Sequence, residues 1–201
     1  MFRYLLLIGI FPIIILAQSD NVQFDYISVE DGLSYSFVTC FTQDSTGFIW
    51  IGTENGLNRY DGYNFTTYKH NPYDTIGISD NIITALCVDR FGFLWIGTGN
   101  GGLNRYDPKK NSFIRFKHNA GNPECLSSNN ILSVCQDMCG DIWIGTDRGG
   151  LNILQNHGDS LNQDSCSFIK YSYEPGMENC IAGNSINCKS SKTLGLKIRF
   201  C

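Results

Sequence analysis

Asp89-Arg90-Phe91-Gly92-Phe93-Leu94-Trp95-Ile96-Gly97-Thr98 is the middle of three copies of one pattern, D-x-x-G-x-[IL]-W-I-G-T. The first copy supplies Asp44, Gly47, Trp50, Gly52 and Thr53, and the third supplies Asp137, Gly140, Trp143, Gly145 and Thr146. Trp50 and Trp95 stand 45 residues apart, Trp95 and Trp143 stand 48 apart, and no other tryptophan occurs. A period of this size marks a repeat architecture, in which each unit is one supersecondary element that cannot bury its faces alone.

The flanks of the middle copy give the unit its strands. Ile78-Ser79-Asp80-Asn81 opens it and leads into the β-branched, apolar run Ile82 to Val88. Asp89 to Gly92 reads as a turn, because aspartate can bond its own following backbone and glycine accepts a positive φ. Phe93 to Thr98 is a second strand, Gly99-Asn100-Gly101-Gly102 a second turn, and Leu103 to Asp107 a third strand. Pro108 to Asn111 turns the chain into Ser112 to His118. Each unit is therefore expected to be one antiparallel sheet of four short strands.

The neighbouring copies agree. The opening [LI]-S-x-[SN]-x-[VI] occurs as Leu33 to Val38, Ile78 to Ile83 and Leu126 to Ile131. Third strands recur as Gly56 to Asp61 and Gly150-Leu151-Asn152, and fourth strands as Phe65 to His70 and, more loosely, Phe168 to Tyr171. Repeated four-stranded sheets of this length are β-propeller blades. Rungs of a parallel β-helix are shorter and lack the hairpin turns. The predicted class is all-β, with about three four-stranded antiparallel blades forming an incomplete propeller. The expected divisions are 18–75, 76–123 and 124–180 for the repeats, and 181–201 for an aborted fourth.

Bulk properties fit. The chain has 201 residues, 42% of them hydrophobic and 13% aromatic, which suffices for a core. A net charge of −4 gives no basic face for nucleic acid. Leu5 to Leu16 is an apolar stretch after Arg3, and it ends near Ala17. At 12 residues it is too short for a bilayer, which needs about 20. Residues 1–17 are read as a secretory signal peptide, which predicts that the rest is exported.

Nine cysteines invite a disulfide framework, but their placement follows the repeat. Cys87 and Cys135 both lie two residues before the turn aspartate, and Cys40 lies four before its own. On a strand these positions share one face, where free cysteine serves as a small apolar residue. Buried free thiols are expected there, with Cys139 exposed in its turn.

The repeat run, together with Glu30-Asp31-Gly32-Leu33-Ser34 to Val38, resembles the two-component regulator propeller repeat, over about Phe24 to Tyr171. The resemblance implies a sensor protein of glycan-degrading bacteria, with a signal peptide and a periplasmic propeller array. A membrane span, a histidine kinase, a receiver and a DNA-binding domain follow in many such proteins. It also implies dimeric self-association and recognition of an extracellular cue, often an oligosaccharide. None of the later domains is legible after residue 171, so the chain is expected to be the N-terminal piece of such a sensor. A free-standing secreted binding protein and a propeller glycan hydrolase are the rival readings.

His70 and His118 each end a fourth strand after a lysine, which makes them scaffold, and His157 sits in a polar loop without an acidic partner. Asp44, Asp89 and Asp137 could form a ring of calcium ligands or paired acids, but each is better explained as a turn residue. Gly99 to Gly102 lacks the lysine and helix of a phosphate loop. No catalytic residue, cofactor or metal site is expected. Tyr63, Asn64, Tyr73, Asn100, Arg148 and Asn156 lie in predicted loops and could meet a sugar, without defining a site.

Ile181-Ala182-Gly183-Asn184-Ser185-Ile186 repeats the opening once more. Beyond it, Lys192 stands where an aspartate is due and Ile198 where a tryptophan is due. One choice of codons from Lys189, read two bases along, encodes Ile-Phe-Lys-Asp-Ser-Gly, with aspartate at the place of Lys192. The last residues are therefore expected to come from a shifted reading frame.

Overall fold

The computed structural model describes residues 26–155, 167–176 and 180–187. The signal peptide and its cleavage point, Asn156, His157 and the tail with Lys189, Lys192 and Ile198 lie outside the described residues. Twelve strands form three sheets, each in chain order. The first holds β1 (Val38–Gln43), β2 (Ile49–Thr53), β3 (Gly56–Tyr60) and β4 (Phe65–Tyr68). The second holds β5 (Ile83–Val88), β6 (Leu94–Thr98), β7 (Leu103–Asp107) and β8 (Ser112–Phe116). The third holds β9 (Ile131–Gln136), β10 (Ile142–Thr146), β11 (Leu151–Leu154) and β12 (Phe168–Tyr171). All neighbours are antiparallel, and β5 lies between β1 and β9, so the first strands line the inner edge of the array. These are propeller blades.

Turn chemistry places the hairpins. Gly47, Gly92 and Gly140 close the first turn of each blade at φ of 96°, 86° and 98°, a region open to glycine at little cost. Each first strand carries a bulge, at Thr39, Thr84 and Leu132, where the pairing register skips one residue. Bulges sharpen local twist, which bends the inner strand along the array.

Two clusters form the core, and both lie between blades. Trp50 and Leu57 of the first blade meet Ile83, Leu94, Ile96, Tyr106 and Phe113 of the second. Trp95, Leu103 and Phe116 of the second meet Ile131, Val134, Ile142, Ile144 and Phe168 of the third. Gly52 and Gly97 let the blades approach. A Cβ on Gly52 would stand 2.7 Å from Ile83 Cγ2, and one on Gly97 would stand 2.7 Å from Ile131 Cγ2.

One repeat residue departs from its copies, and one expectation needs correcting. Trp143 occupies the same strand position as Trp50 and Trp95 but is only half-buried, while they are 2% exposed. No fourth sheet covers its face among the described residues. Cys40, Cys87 and Cys135 are half-buried rather than buried, because each lies on an inner strand, at the rim of the blade contact. No disulfide joins the six described cysteines to one another, and Cys139 is exposed. Burial, only partly offset by the Thr39 hydroxyl, pushes the Cys40 thiol upward, so it remains protonated at neutral pH.

Paired polar residues clasp the blades. The opening Ser34, Ser79 and Ser127 each give a backbone amide at 3.0 Å to Asn58, Asn104 and Asn152 on the third strand of the same blade. Each asparagine donates back to the serine hydroxyl at 2.7–2.8 Å. Asn81 and Asn129 reach the preceding blade instead. Their carbonyls accept from the amides of Gly56 and Gly102, and their side-chain oxygens accept from the amides of His70 and His118. Buried backbone donors at blade ends are thereby satisfied.

Candidate functional site

The polar constellation that recurs in every blade is the motif itself. Asp44 Oδ1 accepts the amides of Thr46 and Phe48, Asp89 Oδ1 those of Phe91 and Phe93, and Asp137 Oδ1 those of Gly140 and Asp141. The other oxygen of each carboxylate accepts the indole N–H six residues later, at 2.8 Å in the first two blades and 3.0 Å in the third. A buried indole needs such a partner, which is why aspartate and tryptophan recur at a fixed spacing. The turn bonds are legible in the sequence, whereas the indole bond shows there only as a repeated six-residue spacing.

The rest of the motif is equally committed to structure. Thr53, Thr98 and Thr146 donate their hydroxyls to the carbonyls of Gly56, Gly102 and Gly150, closing the second hairpin. Arg59 lies 4.7 Å from the centroid of the Phe48 ring, and Arg105 lies 4.3 Å from that of Phe93. With each carboxylate spent on one turn and one indole, the three aspartates do not converge on a shared ion. No group of acidic, histidine and cysteine side chains suited to a metal occurs among the described residues.

The carboxylates predict a pH response. Burial pushes Asp44 and Asp137 upward, but hydrogen bonds from Thr46 and Trp50, and from Trp143 and the 140–141 amides, outweigh it. Both titrate below the ordinary 3.8. A folded value below the unfolded one contributes stability that is present above the unfolded value and drains as pH falls through the folded value. The urea midpoint is therefore expected to stay level from about pH 7 to 5 and to drop below about pH 4. Asp44→Asn should have a shallower acid limb than the parent chain; an identical limb contradicts this assignment.

His70 and His118 are scaffold. His70 Nδ1 donates to the Ile78 carbonyl at 2.9 Å and His118 Nδ1 to the Leu126 carbonyl at 2.7 Å, since a carbonyl can only accept. Cys125 Sγ lies 3.9 Å from His118 Nδ1, which has the look of a thiol–imidazole pair. That nitrogen is already a donor to Leu126, so it cannot take the thiol proton. Gly77 stands at the equivalent place in the preceding unit, where His70 makes the same bond without any thiol.

The loop residues with sugar-binding chemistry do not form one site. Tyr63 and Asn64 lie in the turn from β3 to β4, at one end of the blades. Tyr73, Asn100 and Arg148 lie in the β4–β5, β6–β7 and β10–β11 connections, at the opposite end. All five are exposed, Tyr63 at 90% and Tyr73 at 96%, and antiparallel alternation puts a blade's length between the groups.

Comparison with known proteins agrees with this geometry. The two component regulator propeller family model matches residues 32–55, 77–100 and 125–148. Over 80 residues the chain is 40% identical to histidine kinase P4 of Formosa agariphila, a stretch covering 36% of this chain and 6% of that protein. The extracellular domain of a hybrid two component system of B. thetaiotaomicron superposes with a TM-score of 0.66 at 29% identity, over 73% of this chain and 20% of its own. A second such domain from that organism gives 0.59 at 28% identity, over 76% and 20%. The chain thus spans about a fifth of these solved domains and a far smaller part of the kinase. The chain carries three copies of the two component regulator propeller repeat, with the motif residues at equivalent places on three blades.

Proposed function

We propose that this chain is a sensor segment of a two-component regulatory protein: an exported, periplasmic run of propeller blades that recognises an extracellular cue such as an oligosaccharide and has no catalytic activity of its own. The carrying observation is its superposition on extracellular domains of hybrid two component systems. The absorption of every motif carboxylate into a turn and an indole bond supports a scaffold rather than an acid–base centre. A ligand can act only through states that it binds differently, so output requires a coupled kinase and, as in the family's long members, dimeric partners. The purified chain incubated with labelled ATP is expected to take up no phosphate, and incubated with oligosaccharides to release no reducing ends. Calorimetric titration against a panel of oligosaccharides is expected to give saturable heat with one class. Phosphate uptake or glycan cleavage overturns the non-catalytic reading, and a panel without any binder overturns the oligosaccharide.

A further inference from the structure

The opening [LI]-S-x-[SN]-x-[VI] leaves its third and fifth positions free, and the blades fill them differently. In the second blade the third position caps the opening. Asp80 Oδ1 accepts the amides of Asn81 and Ile82 at 2.7 and 3.4 Å, and its Oδ2 accepts that of Asn100 at 2.8 Å. In the third blade Ser128 Oγ accepts the Asn130 amide at 3.2 Å. The first blade gives up this cap for aromatic rings: Tyr35 is 42% exposed and Phe37 58% exposed. A missing neighbour does not explain the fifth position. Val38 is 44% exposed where Ile83, backed by the first blade, is 0%, yet Ile82 beside it stays 40% exposed with that blade in place. The fifth position therefore faces solvent within the array.

Bonds between adjoining residues draw these side chains onto one surface. Val38 pairs with Thr53, so Phe37 lies at the same end of the first blade as the turn Glu54-Asn55. Ser34 Oγ lies 3.0 Å from Thr53 Oγ1, which sets Tyr35 at that end too. Gly56 donates its amide to the Asn81 carbonyl at 2.8 Å, and Gly99 donates to the Ile82 carbonyl at 3.0 Å, which carries the surface on to Ile82 and Asn100. Glu54 and Asn100 are exposed and Asn55 is half-buried. Asn55 and Asn100 bond through their backbone amides, and none of the three side chains holds a hydrogen-bond partner among the described residues.

We propose that the strip from Tyr35 and Phe37 across Glu54 and Asn55 to Ile82 and Asn100 binds a neutral oligosaccharide; this rests on the oligosaccharide reading given above. A pyranose ring has a C–H face that packs on an aromatic ring, and hydroxyls that need amide and carboxylate partners. The strip offers both kinds of group on two adjoining blades. Exposed apolar side chains rimmed by uncommitted polar groups mark an interaction site, whereas scaffold positions of this array are spent on caps and clasps. A departure from the repeat that gains no packing belongs to function for the same reason. Charge selects the class of sugar. Glu54 is the charged member of the strip and no lysine or arginine stands in it, so a uronate or sulfate would meet a like charge.

Calorimetric titration with cellotetraose, mannotetraose, xylotetraose and maltotetraose, and with tetragalacturonate as the acidic arm, tests this. One of the neutral tetramers should bind. Tyr35→Ser with Phe37→Ser should raise its Kd about tenfold and leave the urea midpoint unchanged. Tyr63→Ser, which removes an exposed ring at the opposite end of the blades, should leave Kd unchanged. On binding, the amide resonances of Asn55, Ile82 and Asn100 should shift and those of Tyr63 and Lys109 should not, and this measurement carries the test if the double variant does not fold. Neutral binding that survives the double change, or shifts confined to the Tyr63 end, overturns the site and leaves the oligosaccharide reading standing. Binding of tetragalacturonate alone overturns the neutral class and again leaves that reading standing. A panel without any binder overturns both.

Discussion

Trp95→Ala is expected to remove most of the stability of the array. Trp95 is 2% exposed, stacks on Phe116 at 5.9 Å between ring centroids, and fills the cluster between the second and third blades. Truncating a buried tryptophan costs about 3–5 kcal/mol through lost transfer free energy and the cavity left behind. The change also strips Asp89, 8% exposed, of its indole donor at 2.8 Å, and a buried acceptor left unpaired adds about 1–3 kcal/mol. Against a typical total of about 5–15 kcal/mol, loss of the cooperative urea transition in far-UV circular dichroism is the expected reading. Trp143→Ala serves as the internal comparison. It deletes the same bond type from a half-buried ring, so it should cost clearly less. Equal losses at the two positions would show that burial between blades is not what stabilises these rings.

Gly97→Val is the second large effect, and it acts by intrusion rather than loss. The added Cβ would stand 2.7 Å from Ile131 Cγ2 and 3.2 Å from Ala85 Cβ, distances at which the third blade must move away. Overpacking of a close-packed interior costs typically about 1–3 kcal/mol, and the upper part of that range is expected because Ile131 is fully buried on a paired strand. A lower urea midpoint is the measurement. Adding Ile131→Ala to Gly97→Val should recover part of the loss, because the two changes share one space and cannot be additive. If the double variant is as unstable as the sum of the single ones, the close approach of the blades is not the reason for the glycine.

The repeat made much of this legible without coordinates. Strand positions and hairpin turns follow from residues within ten of each other, and Gly47, Gly92 and Gly140 mark positive φ in every copy. The aspartates could be assigned to turns for the same reason. The indole–carboxylate bond was half legible: its spacing repeats, but the sequence does not say that the side chains at the two ends of a hairpin turn toward each other. The loop residues were legible as loops and not as a site. Whether Tyr63 lies near Tyr73 depends on which end of a blade each turn occupies, and pairing order alone decides that.

By itself the sequence determined the blade: its four strands, its turns and the face on which its tryptophan lies, because all of these are encoded in local periodicity and turn chemistry. Tertiary structure decided what each blade meets. Asn81 reaches back 25 residues to Gly56, and Asn129 reaches 27 to Gly102, across a gap that no local pattern reports. Burial of an identical motif therefore varies along the chain. Trp50 and Trp95 are covered by the blade that follows, whereas Trp143 and the rim cysteines keep part of their surface, because burial belongs to the neighbour and not to the residue.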